Sequence, residues 1–159
     1  WHFVGHLQSN KINRVLTRVP NLYCIQTVDS IQLADRLENN LKQQSKTLNV
    51  LLQVNTSNEQ QKSGVDTTNF LSLYEHVKGH CSQLVCQGLM TIGSVDNVNA
   101  ADDSDFQALV QCRKELCEKH NLVINDVQLS MGMSDDYERA IQLGSTIVRV
   151  GSSIFGARR

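Results

Sequence analysis

The sequence lacks the features of a membrane, secreted or nucleic-acid-binding protein. No apolar run approaches the ~20 residues that a membrane-spanning helix needs, and no signal peptide is visible. Lysine and arginine total 15 against 16 acidic residues, and this net charge of -1 argues against a general binder of polyanions. Because the chain starts at Trp1, inside a predicted strand, we interpret it as a piece of a longer chain. We expect a cytoplasmic protein, and the absent N-terminus leaves mitochondrial targeting open.

Several motifs of known chemistry are also missing. No Gly-x-Gly-x-x-Gly follows a predicted strand, which leaves a dinucleotide-binding fold little support, and no Ser-His-Asp order or carboxylate pair stands out. The cysteines are odd in number and fit no zinc motif, so we predict reduced thiols at Cys24, Cys81, Cys86, Cys112 and Cys117. His76 and His80 stand four apart beside Cys81, but no third ligand is evident. We therefore predict no metal site.

The chain does contain a regular alternation of strands and helices. Strands are predicted at residues 1–5, 22–28, 50–54, 84–92, 127–131 and 147–150, with amphipathic helices between them. This order predicts an α/β fold with a parallel sheet of sequential strands. The strands could form an open doubly wound sheet, or the last six of an eight-stranded barrel. A full barrel takes about 200–250 residues, so this chain would be short by roughly one β-α-β-α unit.

The segment from Leu129 to Arg158 contains the strongest candidate for a binding site. Gly151-Ser152-Ser153 follows the last strand and offers backbone N–H groups and hydroxyls, the donors that a phosphate needs. Arg149 interrupts an apolar strand, so we expect its side chain to point into a barrel or pocket, the alternative being a strand-end ion pair with a carboxylate. Between the strands we predict a helix with Ser134 as N-cap and Gly144 as stop signal.

The lysines offer no clear nucleophile. None lies within an apolar strand, where loss of solvent would lower its pKa. Lys11 and Lys62 follow predicted strands and remain second-rank candidates, with ordinary ion pairing as the alternative.

Five segments together resemble the pyridoxal phosphate homeostasis protein family, also called the proline synthase co-transcribed homologues. In order they are residues 1–11 (WHFVGHLQSNK), Val54-Asn55 with Glu59, Lys62 and Gly64, residues 88–92 (GLMTI), residues 129–135 (LSMGMSD), and residues 148–151 (VRVG) with residues 154–158 (IFGAR). Because they occur in the family's order over nearly the whole chain, the match is specific.

The resemblance implies a (β/α)8 TIM barrel of the alanine racemase N-terminal-domain type that holds pyridoxal 5'-phosphate (PLP) on a Schiff-base lysine. Carried over to this sequence, the cofactor-binding residues are Ser130, Met131, Gly132, Arg149, Gly151 and Ser152. Ser130 and Gly151-Ser152 would hold the phosphate, and Arg149 would face the pyridine nitrogen. The family's lysine lies on the first barrel strand, whereas this chain begins at what resembles the third. Residues 1–159 are thus expected to be a partial PLP-binding barrel, strands three to eight, without the covalent lysine.

The implied function is a non-enzymatic role in vitamin B6 and amino-acid homeostasis. Two alternatives stay open: a fragment of a PLP-dependent racemase or decarboxylase, and a barrel enzyme acting on a small phosphorylated substrate. PLP is the expected partner, with no nucleic acid or membrane. The full-length protein is expected to be a monomer, and this shorter chain to be aggregation-prone or oligomeric, since missing strands would expose sheet edges.

Overall fold

The computed structural model describes residues 1–57, 59, 62–94 and 101–156, and the strand–helix alternation runs through them. The elements are β1 (His2–Phe3), α1 (Ile12–Arg18), β2 (Cys24–Val28), α2 (Ile31–Gln43), β3 (Leu48–Asn55), β4 (Val65–Asp66), α3 (Phe70–His80), β5 (Leu84–Met90), α4 (Ser104–His120), β6 (Gln128–Met133), α5 (Tyr137–Gln142), β7 (Ile147–Arg149) and α6 (Ser152–Phe155). Short 3-10 turns at Ser9–Lys11 and Ile124–Asp126 precede α1 and β6.

The sheet follows the order of the chain. Its strands lie in the sequence β1-β2-β3-β5-β6-β7, and every neighbouring pair is parallel. The predicted parallel, sequential sheet is therefore confirmed. The exception is β4, a two-residue strand that pairs with β3 and is not among the predicted strands. Residues 95–100, and Ala157 and Arg158 of the C-terminal motif, lie outside the described residues.

The two faces of the sheet bury different side chains. Alternate residues on the outer face, among them Ile25, Leu52, Leu89 and Leu129, pack against the helices in the main core. The inner face carries a smaller apolar cluster of Cys24, Leu51 and Met90, with Ile92 and Ile147 against it. Burial on both faces explains why the strands are apolar runs rather than strict alternations, as is usual in parallel sheets. No helix in the described ranges is long and apolar enough to cross a membrane.

Local signals account for two of the helix ends. Ser30 caps α2 by accepting a hydrogen bond from the Leu33 N–H, and Gly144, the predicted stop signal, follows α5 with a φ of +95°. The prediction of Ser134 as the cap of α5 is wrong. The cap is Asp136, whose carboxylate accepts a hydrogen bond from the Met133 N–H. Asp136 closes this turn, so the helix starts later and Ser134 is left free to contact the segment after β7.

A buried carboxylate ties the outer helices to the sheet. Glu38 of α2 is 3% exposed and accepts hydrogen bonds from the Ser82 hydroxyl (3.1 Å) and the Gln83 N–H (2.8 Å), and it pairs with Lys42 at 3.0 Å. These contacts meet the hydrogen-bonding needs of a charge that would otherwise be costly to bury. They also fix the turn that leads from α3 into β5.

Close approach of β5 and β6 depends on Gly88. Its φ is +153°, and a Cβ there would lie 2.0 Å from the Gln128 carbonyl oxygen. We expect Gly88→Ala to lower the free energy of unfolding by at least about 2 kcal/mol, through strain and overpacking. A Cβ placed on Gly79 in α3 would meet no atom within 4 Å, so Gly79→Ala should raise stability, by up to about 1 kcal/mol. Urea denaturation of both variants measures the two effects, and equal midpoints would contradict this role of Gly88.

Candidate functional site

Arg149 projects from β7 into the concave side of the sheet, as its position in an apolar strand predicts. Its Nη1 donates to the Ser130 hydroxyl at 2.8 Å and its Nη2 to the Thr91 carbonyl at 2.8 Å. Burial lowers the pKa of Arg149 to about 10, and the nearby Asp136 carboxylate opposes that shift. Within the described part of the chain no carboxylate lies in ion-pair range of Arg149, so the alternative of a strand-end ion pair is wrong.

A chain of polar side chains continues from Arg149 across the concave face. The Ser130 hydroxyl donates to Gln26 Oε1 at 2.6 Å, and Gln26 Nε2 lies 2.8 Å from His2 Nδ1. Ser130 is on β6 and Gln26 is on β2, with β3 and β5 between them in the sheet. Only a strongly curved sheet brings these two side chains together, because neighbouring strands are about 4.8 Å apart. The polar chain therefore shows that the sheet is curved into a half-barrel.

Thr91, at the end of β5, anchors the other side of the guanidinium group. Its hydroxyl donates to the Val54 carbonyl at 2.9 Å and lies 2.9 Å from the Thr56 hydroxyl. These bonds fix the position of Thr91, whose backbone carbonyl accepts the hydrogen bond from Arg149. The guanidinium is thus fixed by neutral oxygens on two strands.

A second group of polar atoms lies just beyond β7. The N–H groups of Gly151 and Ser153 both donate to the Ser134 hydroxyl oxygen, at 3.0 and 3.3 Å. Ser152 is exposed, and a Cβ placed on Gly151 would meet no atom within 4 Å. We call Ser134 with Gly151, Ser152 and Ser153 the serine cup. Two backbone donors converge there on the Ser134 oxygen, and the space where a Gly151 side chain would lie is open.

The structure does not place all the proposed cofactor residues alike. Ser130 is fully buried, and its hydroxyl contacts Arg149 and Gln26 rather than the serine cup. The Met131 side chain packs in the helix-facing core, so only its backbone could reach a ligand. Gly132 has a φ of +94°, and a Cβ there would lie 2.6 Å from the Ala140 Cβ. The close packing of α5 against β6 therefore explains why residue 132 is a glycine. The cofactor roles of all three remain predictions.

Neither second-rank lysine is buried on the concave face. Lys62 Nζ lies 2.6 Å from Glu59 Oε1 and 3.4 Å from the Gly93 carbonyl oxygen, so the ion pair expected as the alternative is present. This pair lowers the pKa of the Glu59 carboxyl, mainly through its hydrogen bond to Lys62. Lys11 is exposed at the end of the first 3-10 turn.

Sequence reasoning missed three parts of this arrangement: Gln26, Thr91 and the role of Ser134. A weak signal existed for Gln26 and Thr91, since each is polar within or directly after an apolar strand. The structure also brings a third potential ligand, Asp35, to His76 and Cys81, where the sequence showed none. Asp35 is 41 residues from His76, and no local pattern links the two.

The Ser130 hydroxyl joins the two halves of the polar chain, which makes its removal informative. We expect Ser130→Ala to cost about 1–3 kcal/mol of stability, because Gln26 Oε1 and one Arg149 N–H lose a buried partner. The matched variant Ser153→Ala removes an exposed hydroxyl and should change stability by less than about 0.5 kcal/mol. Thermal and urea unfolding check both values. An effect of Ser130→Ala no larger than that of Ser153→Ala would show that the chain of bonds contributes nothing to stability.

Comparison with known proteins places this geometry in a family. The family model described as "Alanine racemase, N-terminal domain" matches residues 7–159. The human pyridoxal phosphate homeostasis protein is 43% identical over 99% of this chain and 58% of its own length, so the chain spans less than two thirds of that relative.

Two solved structures have the same architecture. PipY of Synechococcus elongatus, solved with PLP bound, aligns with a TM-score of 0.80 at 29% identity, covering 98% of this chain and 70% of PipY. A crystal structure of an unknown protein from Bifidobacterium adolescentis aligns with a TM-score of 0.85 at 39% identity, over 97% of this chain and 60% of its own. The α/β half-barrel with its parallel sheet, the family-model match and the curated relatives agree: the chain belongs to the alanine racemase N-terminal-domain family and, within it, to the pyridoxal phosphate homeostasis proteins.

Proposed function

We propose that this chain carries the phosphate- and ring-binding half of a PLP site, and that the protein acts in PLP homeostasis without catalysing a reaction. The observation that carries the proposal is the serine cup beside Arg149, at the carboxyl ends of β6 and β7. Human and bacterial relatives named as PLP homeostasis proteins, and PipY with PLP bound, support the choice of ligand.

The serine cup fits a phosphate group. The Ser134 oxygen accepts from the Gly151 and Ser153 N–H groups, the position that a phosphate oxygen would take. The absence of a side chain at Gly151 leaves room for a bulky tetrahedral group. Backbone donors that converge on one point are the usual means of binding phosphate in this class of fold. Gly151 and Ser152 would hold the phosphate, with Ser130, Met131 and Gly132 as the further positions that the family resemblance assigns.

Arg149 fits the ring of the cofactor. It is positively charged, held by neutral oxygens, and has no carboxylate of its own in the described residues. PLP supplies an electron-withdrawing pyridine ring, and an arginine at its nitrogen keeps that nitrogen unprotonated, which weakens the electron sink. Positioned in this way, Arg149 orients the ring and limits its reactivity. This is the chemical support for a binding role over an enzymatic one.

The half-barrel also bears on which part of the family fold is present. We propose that β1 to β7 without β4 correspond to strands three to eight of a (β/α)8 barrel, and that the Schiff-base lysine belongs to the part of the fold not included here. Apart from Lys62, the lysines are exposed, and Lys62 is paired with Glu59. The open alternatives, a racemase fragment or an enzyme for a phosphorylated substrate, need an acid–base group facing the cup. The described groups there are hydroxyls, N–H groups, a guanidinium and the buried carboxylate of Asp136, which already accepts a hydrogen bond from the Met133 N–H.

Binding should depend mainly on the phosphate. We expect reversible binding of PLP, competition by inorganic phosphate, and at least tenfold weaker binding of pyridoxal, because each charge-assisted hydrogen bond contributes about 1.5–3 kcal/mol. Ser152→Ala should weaken binding modestly. Equilibrium dialysis with PLP and pyridoxal measures the difference. Equal affinity for the two would contradict the serine cup, and borohydride-dependent attachment of PLP to Lys11 or Lys62 would contradict the absence of a covalent lysine.

The ring nitrogen gives a separate spectroscopic test of Arg149. With Arg149→Glu, a carboxylate would face the nitrogen and favour its protonated form, so the absorbance of bound PLP should shift while affinity changes less. Arg149→Gln is the matched control of similar size without charge, and should shift the absorbance less than Arg149→Glu. Titrations of wild type and both variants, followed by absorbance, make the comparison. Identical spectra for the Glu and Gln variants would place Arg149 away from the nitrogen.

A further inference from the structure

We propose that Asp35, His76 and Cys81 form a binding site for Zn²⁺ or a similar transition-metal dication, on the helix side of the sheet and separate from the serine cup. Asp35 lies on α2, His76 on α3, and Cys81 directly follows α3. Their donor atoms, one from each residue, all lie within 4.8 Å of one another. The three belong to neighbouring helices that pack on the outer face, whereas Arg149 is on the concave face.

The three donors are types that zinc commonly takes. A carboxylate oxygen, an imidazole nitrogen and a thiolate sulfur bind Zn²⁺ in tetrahedral sites, with bonds of about 2.0–2.3 Å and donor separations of roughly 3.2–3.8 Å. Asp35 Oδ1 and His76 Nε2 are now 2.6 Å apart, as hydrogen-bonded atoms are. The metal would replace the proton of this bond. Asp35 is half-exposed, so its side chain has room to move outward.

Neighbouring groups orient the ligands without competing for them. The His80 ring stacks on the His76 ring with 4.8 Å between centroids and 20° between planes. Glu38, another carboxylate whose charge acts on Cys81, is already bonded to Ser82, Gln83 and Lys42. Because of these bonds, Glu38 need not be a ligand. Its charge still adds negative potential at the site. We assign the fourth position to water, on the exposed side near Asp35.

The Asp35 carboxylate oxygen lies within 4.8 Å of the Cys81 sulfur, and its negative charge favours a cation between them. Burial, followed by the negative charges of Glu38 and Asp35, raises the pKa of the Cys81 thiol to about 11, and Lys42 opposes this shift. Without a metal, the thiol stays protonated and unreactive at neutral pH. A dication reverses the effect of both carboxylates. On binding, the Cys81 S–H bond breaks and its proton leaves to solvent, while the proton on His76 Nε2 is lost there and Nδ1 carries the ring proton. The sulfur and Nε2 then bond to the metal with no change of oxidation state.

Co²⁺ provides a probe, because a thiolate bound to cobalt gives a charge-transfer absorption that oxygen and nitrogen ligands do not. We expect reduced wild-type chain to bind one Co²⁺ with this absorption, and Zn²⁺ to displace it. Cys81→Ser should abolish the charge-transfer band, and Asp35→Asn should weaken binding more than about tenfold, since even groups that merely orient a ligand cost 10–100-fold. The matched controls are Cys117→Ser, at another buried cysteine, and Glu75→Gln, at another half-exposed carboxylate beside a histidine.

Three results would overturn the site: no thiolate band in wild type, the same band in Cys81→Ser, or equal affinity of Asp35→Asn and Glu75→Gln. Asp35 is on the surface, so its variant keeps the test valid if Cys81→Ser fails to fold. Because PLP is not used in any of these measurements, their outcome is independent of the proposed function.

Discussion

Parallel pairing of successive strands is the constraint on which the rest of the structure depends. Each strand from β1 to β7, apart from the short β4, lies beside the one before it and runs the same way. Every carboxyl end therefore reaches the same edge, and every crossover must carry a helix over the outer face. Thr91, Ser134 and Gly151 are at one edge for this reason, although 60 residues of chain separate the first from the last.

Curvature then brings polar side chains of distant strands together across the concave face. The hydrogen bond from Ser130 to Gln26 spans the concave face between strands that are not neighbours, and it continues to Arg149 and His2. In a poorly solvated interior such bonds are strong, and unmet polar groups are costly, so the chain of bonds restrains the shape of the half-barrel as well as the arginine. Arg149 stays charged, since even its lowered pKa of about 10 is well above neutral.

The serine cup and the Asp35–His76–Cys81 cluster show the same principle on opposite faces. In both proposed sites, the groups that would bind the ligand already have a partner within the free chain. Ser134 accepts the hydrogen bonds from the two N–H groups that a phosphate would otherwise accept. A hydrogen bond joins His76 and Asp35 at the place where a metal would lie. Such internal partners keep the polar groups satisfied in the free chain, and a ligand must exchange with them. The net affinity is thus smaller than the new contacts alone suggest.

The sequence by itself determined the strands, their parallel order and the inward direction of Arg149. These follow from local patterns: apolar runs between amphipathic helices, and the two-residue period that places residue 149 on the same face as Ile147. The five motifs also indicated the family to which the chain belongs. Local signals failed where two of them competed, as when Asp136 rather than Ser134 capped α5. The tertiary structure alone decided that Gln26 meets Ser130, that Ser134 meets Gly151, and that Asp35 joins His76 and Cys81. Each of these contacts joins different elements of the fold, so it depends on crossover geometry and sheet curvature, which no short stretch of sequence encodes.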